Sequence, residues 1–162
     1  SQGKYDDAEP LYVRAIAIGE KALGPEHPDL AVWLNNRAGL LRAQGKYNQA
    51  EPLYRRALAI DEKVYGPDHP EIATDLNNLA GLWIVQGNYA EAEPLCERSQ
   101  AIRENALGPE HPDVAGSLNN RAKILEEQGN FAEAELLYER SQAILEKVLG
   151  SEHPQVAELF NN

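Results

Sequence analysis

The stretch Gln44-Gly45-Lys46-Tyr47-Asn48-Gln49-Ala50-Glu51-Pro52-Leu53-Tyr54-Arg55-Arg56-Ala57-Leu58-Ala59-Ile60 decides the fold of this 162-residue chain. Tyr47, Ala50, Leu53, Tyr54, Ala57, Leu58 and Ile60 recur at the three- and four-residue steps of one helix face. Gly45 supplies the left-handed conformation that commonly ends a preceding helix. Gly66-Pro67 ends the new helix after Val64-Tyr65. Pro52 removes one hydrogen bond near the helix start. The apolar period continues on both sides of it, so the helix is predicted to run through.

Upstream of the break, Pro28 suits a first helical turn, where its missing N–H is no loss. Asp29 places negative charge at the positive end of the helix dipole. Leu30, Ala31, Leu34, Ala38 and Leu41 then share a face. Residues 28–65 therefore predict two helices joined by a short turn.

The same pattern returns every 42 residues. Gly3, Gly45, Gly87 and Gly129 mark it, as do His27, His69, His111 and His153, each followed by proline. Asn35-Asn36, Asn77-Asn78, Asn119-Asn120 and Asn161-Asn162 mark it again. Three full units (3–44, 45–86, 87–128) and a partial fourth (129–162) form one expected repeat domain. The chain starts inside one unit and stops inside another, without the polar caps that solenoid ends carry. It reads as a piece of a longer array. Small residues repeat in register: Ala8, Ala50, Ala92 and Ala134 in the second helix, Ala38, Ala80 and Ala122 in the first. They let helix backbones approach closely. A lone hairpin cannot bury its apolar face; stacked hairpins can. The expected fold is all-α, a solenoid of stacked antiparallel helix hairpins.

Composition narrows the function. Apolar residues make up 43% and charged residues 25%, as in a folded globular chain. The formal net charge is −11, which repels phosphate backbones and anionic membrane surfaces and argues against both as partners. No segment approaches the roughly 18 apolar residues of a membrane span. Cys96, the single cysteine, has no disulfide partner in the chain, which points to a reducing, cytoplasmic setting.

Each unit resembles the tetratricopeptide repeat, in the 42-residue form of kinesin light chains and related bacterial and fungal proteins. The resemblance rests on residues 44–60 quoted above, on Tyr65-Gly66-Pro67-Asp68-His69-Pro70 and on Leu76-Asn77-Asn78-Leu79-Ala80. It covers essentially the whole chain. It implies a right-handed superhelix of antiparallel helix pairs. The first helix of each pair lines a concave groove that holds extended peptides or partner segments. The implied role is a non-catalytic protein-interaction scaffold without a cofactor. Two departures stand out. Arg37 and Arg121 occupy the place of Leu79, so neighbouring units are not expected to pack identically. The set of basic groove residues that kinesin light chains use for acidic, tryptophan-bearing cargo is not evident.

A helical wheel assigns the groove positions. Opposite the core face of the first helices lie Val32, Asn36, Gly39 and Ala43, then Thr74, Asn78, Gly81 and Val85, then Gly116, Asn120, Lys123 and Glu127. Asn35 and Arg42, Asn77 and Ile84, and Asn119 and Glu126 flank them. A side-chain amide both donates and accepts, so it can pair with a peptide unit without reading its side chain. Asn36, Asn78 and Asn120 are expected to form a ladder along an extended ligand. For Asn35, Asn77 and Asn119 two roles stay open: the groove, or bonds to a neighbouring helix that hold register. Arg42, Val85 and Lys123 give the groove a mixed charge pattern with an apolar middle.

Other constellations carry less. One histidine per unit, spaced by about 10 Å or more between helix layers, does not converge on a metal. Carboxylates repeated with the period are solvated faces rather than a catalytic set. Cys96 stands where Tyr54 and Tyr138 stand and is expected to be a buried small apolar residue. Trp83 aligns with Leu41 and Leu125 and is expected in the core. Trp33 aligns with Asp75 and Ser117, a place between units or partly exposed. The alternative function is a structural module that self-associates end to end or serves as the sensor array of a larger signalling ATPase.

Overall fold

The computed structural model describes residues 2–149, with side chains from 8 to 147. Among these lie seven helices and no strand: α1 (Gln2–Leu23), α2 (Pro28–Ala43), α3 (Tyr47–Tyr65), α4 (Pro70–Val85), α5 (Tyr89–Leu107), α6 (Pro112–Glu127) and α7 (Phe131–Leu149). The all-α expectation holds, and α2 and α3 begin and end where the periodicity places them. His153 and Asn161-Asn162 lie outside the described residues. The chain divides into two compact units, Ser1–Leu82 and Trp83–Asn162.

Turn chemistry sets the helix boundaries. After α2, Gly45 takes φ +74°. Its N–H donates to the Arg42 carbonyl and the Lys46 N–H to the Leu41 carbonyl, each at 2.9 Å. This paired closure satisfies carbonyls that the helix end would leave bare. The same two bonds recur around Gly87 and Gly129. The turns between hairpins use glycine differently. Gly66 sits at φ 86°, ψ 163°, a region essentially closed to residues with a Cβ.

Each first helix is capped by its histidine. The Nδ1 atoms of His27 and His111 accept from the Asp29 and Asp113 N–H at 3.2 Å. His69 accepts from Glu71 at 3.3 Å. The imidazole thus does what a serine or aspartate cap does, with the following proline in the first turn. α3 continues unbroken through Pro52.

In the first unit, Ile16, Leu30, Ala31, Leu34, Ala57 and Ile60 form one buried cluster, with Trp33 and Leu53 packed on it. In the second, Val114, Ala115 and Leu118 meet Ile144, and Ala122, Leu125 and Ala134 meet Leu137 and Tyr138. Every predicted core residue of α2 is buried, as are Trp83 and Cys96. Burial pushes the Cys96 thiol up to about 12. Leu79 is buried while its counterparts differ: Arg37 pairs with Glu9 at 3.6 Å and Arg121 donates to Gln100 at 2.7 Å. Neighbouring repeats do pack differently at this place.

One further position varies by repeat, where a second helix meets the next first helix. Gly19 faces Trp33, and a Cβ on Gly19 would lie 2.3 Å from the indole Cζ3. Asp61 faces Asp75 at the equivalent place. At the third, buried Arg103 donates to the Ser117 hydroxyl at 3.1 Å and to the Asp113 carbonyl at 2.8 Å. Surface ion pairs also link successive second helices: Arg56–Glu20 at 2.6 Å and Arg140–Glu104 at 2.7 Å. Exposed pairs of this kind contribute about 0–1 kcal/mol each, so the apolar clusters dominate.

Gly19→Ala is expected to destabilise the chain by about 1–3 kcal/mol in urea unfolding, because the new methyl meets the indole. Adding Trp33→Leu should recover part of the loss; no recovery would show that the clash is not the cause. Cys96 is expected to resist aromatic disulfide reagents near neutral pH in the folded chain and to react rapidly in urea.

Candidate functional site

Asn36 stands exposed on the outer face of α2, one turn from Gly39 and two from Ala43. From α3, the Tyr54 phenol reaches the same region; a Cβ on Gly39 would sit 3.5 Å from its hydroxyl. From α4 comes Asn78. Together Asn35, Asn36, Gly39, Arg42, Ala43, Tyr54 and Asn78 line a cavity of about 370 Å³ inside the first unit.

Glycine shapes this cavity. The Arg42 guanidinium lies across α4, with Nη1 2.8 Å from where a Gly81 Cβ would be. Any side chain at 81 would displace it. Arg42 makes no ion pair or side-chain hydrogen bond among the described residues, although the chain is strongly acidic. Its charge acts on Tyr54: burial raises the phenol's pKa, and Arg42 partly offsets that rise. The cavity thus combines a cation, three carboxamides and a phenol.

Asn35 has a second engagement. Its Nδ2 donates to Asp75 Oδ1 at 2.5 Å, tying α2 to α4. Its Oδ1 is buried without a partner among the described residues. Of the two roles left open for this position, the bond between helices is present, and Asn35 also forms cavity wall. Asn77 is half-buried and does not line the cavity.

In the second unit, Val85 and Lys123 are exposed, and Asn119 and Asn120 are half-buried on α6. Asn119 Oδ1 is buried without a hydrogen-bond partner among the described residues. Glu126 accepts from the Tyr138 hydroxyl at 3.2 Å. Burial and this carboxylate push the phenol up to about 12. One flank assignment is corrected: Ile84 is 5% exposed and belongs to the interior. Its place borders the core face. A long charged chain such as Arg42 swings outward there, whereas an apolar one turns in.

Sequence reasoning missed the histidine caps, although His-Pro-Asp before an apolar period was a usable signal. It also missed the facing pairs at 19/33, 61/75 and 103/117. Listing the residues that change from repeat to repeat, rather than those that persist, would have found them. Trp33 is half-buried against Gly19 and Leu30, between successive repeats. No group of three or more histidine, cysteine or acidic side chains poised for a metal occurs among the described residues. No described helix is long and apolar enough to cross a membrane.

Comparison with known proteins bears on the fold and on the broad role. The tetratricopeptide repeat model matches residues 1–63, 29–83, 84–147 and 118–162. Among solved structures, the chain is similar to BtubC (BKLC) from P. vanneervenii, with 27% identity and a TM-score of 0.81 over 94% of this chain. It spans 60% of that protein's length. It is also similar to a putative kinesin light chain with nearly identical TPR-like repeats from Podosopora anserina. That match has 29% identity and a TM-score of 0.74, covering 90% of this chain and 69% of the other. The N-terminal domain of stress-induced protein-1 (STI-1) from C. elegans shares the fold at 16% identity and a TM-score of 0.58, covering 83% of this chain and 94% of its own. A comparison with curated proteins returns no match. The chain belongs to the tetratricopeptide repeat family, whose members are commonly non-catalytic scaffolds for protein interactions, and its relatives of solved structure include kinesin light chain-like proteins.

Proposed function

We propose that this chain holds an extended peptide or partner segment against the outer faces of its first helices, without catalysing a reaction. The observation that carries the reading is the cavity shared by Asn36, Asn78 and Arg42. Two amides can pair with a peptide main chain whatever its sequence. The unpaired guanidinium beside them favours a carboxylate at one point of the ligand. In the second unit Asn120 holds the place of Asn36 and Asn78, Lys123 that of Gly39 and Gly81, and Val85 supplies apolar surface. The buried thiol of Cys96 agrees with a reducing compartment such as the cytoplasm.

A second reading, end-to-end self-association, has its own observation. Leu11 and Ile18 on α1 are 68% and 56% exposed, whereas Ile60, the counterpart of Ile18 on α3, is 5% exposed. Leu53, the counterpart of Leu11, packs on the core of the first unit. The α1 face therefore suits a further helix. Sedimentation over a concentration range separates the readings: open-ended growth supports stacking, and a strict monomer counts against it.

For the peptide reading, a ligand selected from a library is titrated calorimetrically into the wild type and into Asn36→Ala/Asn78→Ala. Each lost bond is worth about 0.5–1.5 kcal/mol, so the double variant should bind roughly 5- to 150-fold more weakly with unchanged helicity. Arg42→Ala should weaken only ligands that carry an acidic residue. Equal affinity of wild type and double variant would refute the amide mechanism.

A further inference from the structure

The second junction of the first unit places two acids where its neighbours place Gly19 with Trp33 and Arg103 with Ser117. Asp61 on α3 is 6% exposed and Asp75 on α4 is 1% exposed. Asp61 holds the place of Gly19 and Arg103, and Asp75 that of Trp33 and Ser117, pairs that touch at the other two junctions, so the two buried carboxyls face one another. Asn35 on α2 adds its Nδ2 donation to Asp75 Oδ1 at 2.5 Å. Asp61 Oδ1 and Asp75 Oδ2 each lack a hydrogen-bond donor among the described residues.

An ionised carboxylate only accepts hydrogen bonds. Two facing carboxyls can therefore bond to one another only when one of them carries a proton. The alternative, two bare carboxylates side by side in a buried place, pairs like charges where desolvation already disfavours each. No lysine or arginine pairs with either group among the described residues. Glu71, on α4, makes matters worse for both acids, and His69, in the turn before α4, favours ionisation of Asp61 only. Asn35 supplies one donor, which is enough for one charge and not for two.

We propose that Asp61 and Asp75 share a single proton in mildly acidic solution, and that this buried carboxyl–carboxylate pair locks α3 to α4 and fixes the orientation of Asn35. Burial first, and the neighbouring Asp61 charge after it, push the Asp75 carboxyl up to about 7; burial raises Asp61 as well. In the unfolded chain both acids ionise at about pH 4. Between that value and about 7 the folded chain holds a proton that the unfolded chain has lost. The pair's contribution to stability is therefore complete at low pH, falls as pH rises through this window, and is gone above it. Asn35 also forms part of the cavity wall, so loss of the proton reaches the site described above. That consequence for a ligand rests on the peptide-binding reading, whereas the shared proton does not.

The test is a titration of the full chain followed by carbon NMR of the aspartate side-chain carboxyls. One aspartate should titrate near pH 7, and that signal should vanish in Asp75→Asn. Asp61→Asn removes the like charge and offers a donor, so the Asp75 midpoint should drop by at least about one unit. The Asn35 side-chain NH2 signals should move with the same midpoint as Asp75 in the wild type. In parallel, the melting temperature of Asp75→Asn minus that of the wild type should grow as pH rises from about 5 to 8. Midpoints below about pH 5 for both Asp61 and Asp75 would overturn the proposal. So would a midpoint that shifts with added calcium chloride, which would make the occupant a metal cation. Should Asp75→Asn fail to fold, the wild-type and Asp61→Asn titrations decide alone.

Discussion

Close approach between helix backbones is the constraint on which the rest depends. Ala31 and Ala38 on α2 and Ala50 and Ala57 on α3 are fully buried, and a larger residue at any of them would force the pair apart. Leu30, Leu34 and Leu41 fill the space beside them, each fully burying a side chain worth about 1.5–3 kcal/mol. Because small and large residues recur at the same places in α6 and α7, with Val114 for Leu30 and Ser141 for Ala57, each unit closes on its own core. The outer faces of the first helices, freed from packing, can then carry exposed polar groups such as Asn36.

The hairpins were legible because their signals are local and repeated. Gly45, Pro28 and the apolar period of α2 each act within a few residues, and every repeat confirms them. The candidate site was legible only in part. A helical wheel places Asn36 outward correctly, since it needs nothing beyond the angle per residue. It cannot say that Asn35 reaches across to Asp75, or that Arg42 lies over Gly81, because those depend on the distance to a second helix. Ile84 failed for a related reason: a border position is settled by whether its side chain seeks water, not by its angle.

The junctions between repeats divide the labour differently. Identical repeats invite slippage, since any first helix fits any second helix. Here the facing pairs are an indole on a glycine, two acids, and an arginine with a serine. An arginine moved opposite an indole, or an acid opposite a glycine, loses its partner and remains buried, which is costly. The varied residues thus specify order along the array, while the invariant ones specify the fold.

These two sets of residues leave the outward amides as the part of the surface whose presence neither packing nor register explains. The direct measurement is a titration of a library-selected peptide into 15N-labelled chain, following the side-chain NH2 signals of every asparagine. The account predicts large shifts at Asn36 and Asn78, with smaller ones at exposed asparagines such as Asn48 and Asn105. Saturable binding that leaves Asn36 and Asn78 unmoved would contradict it.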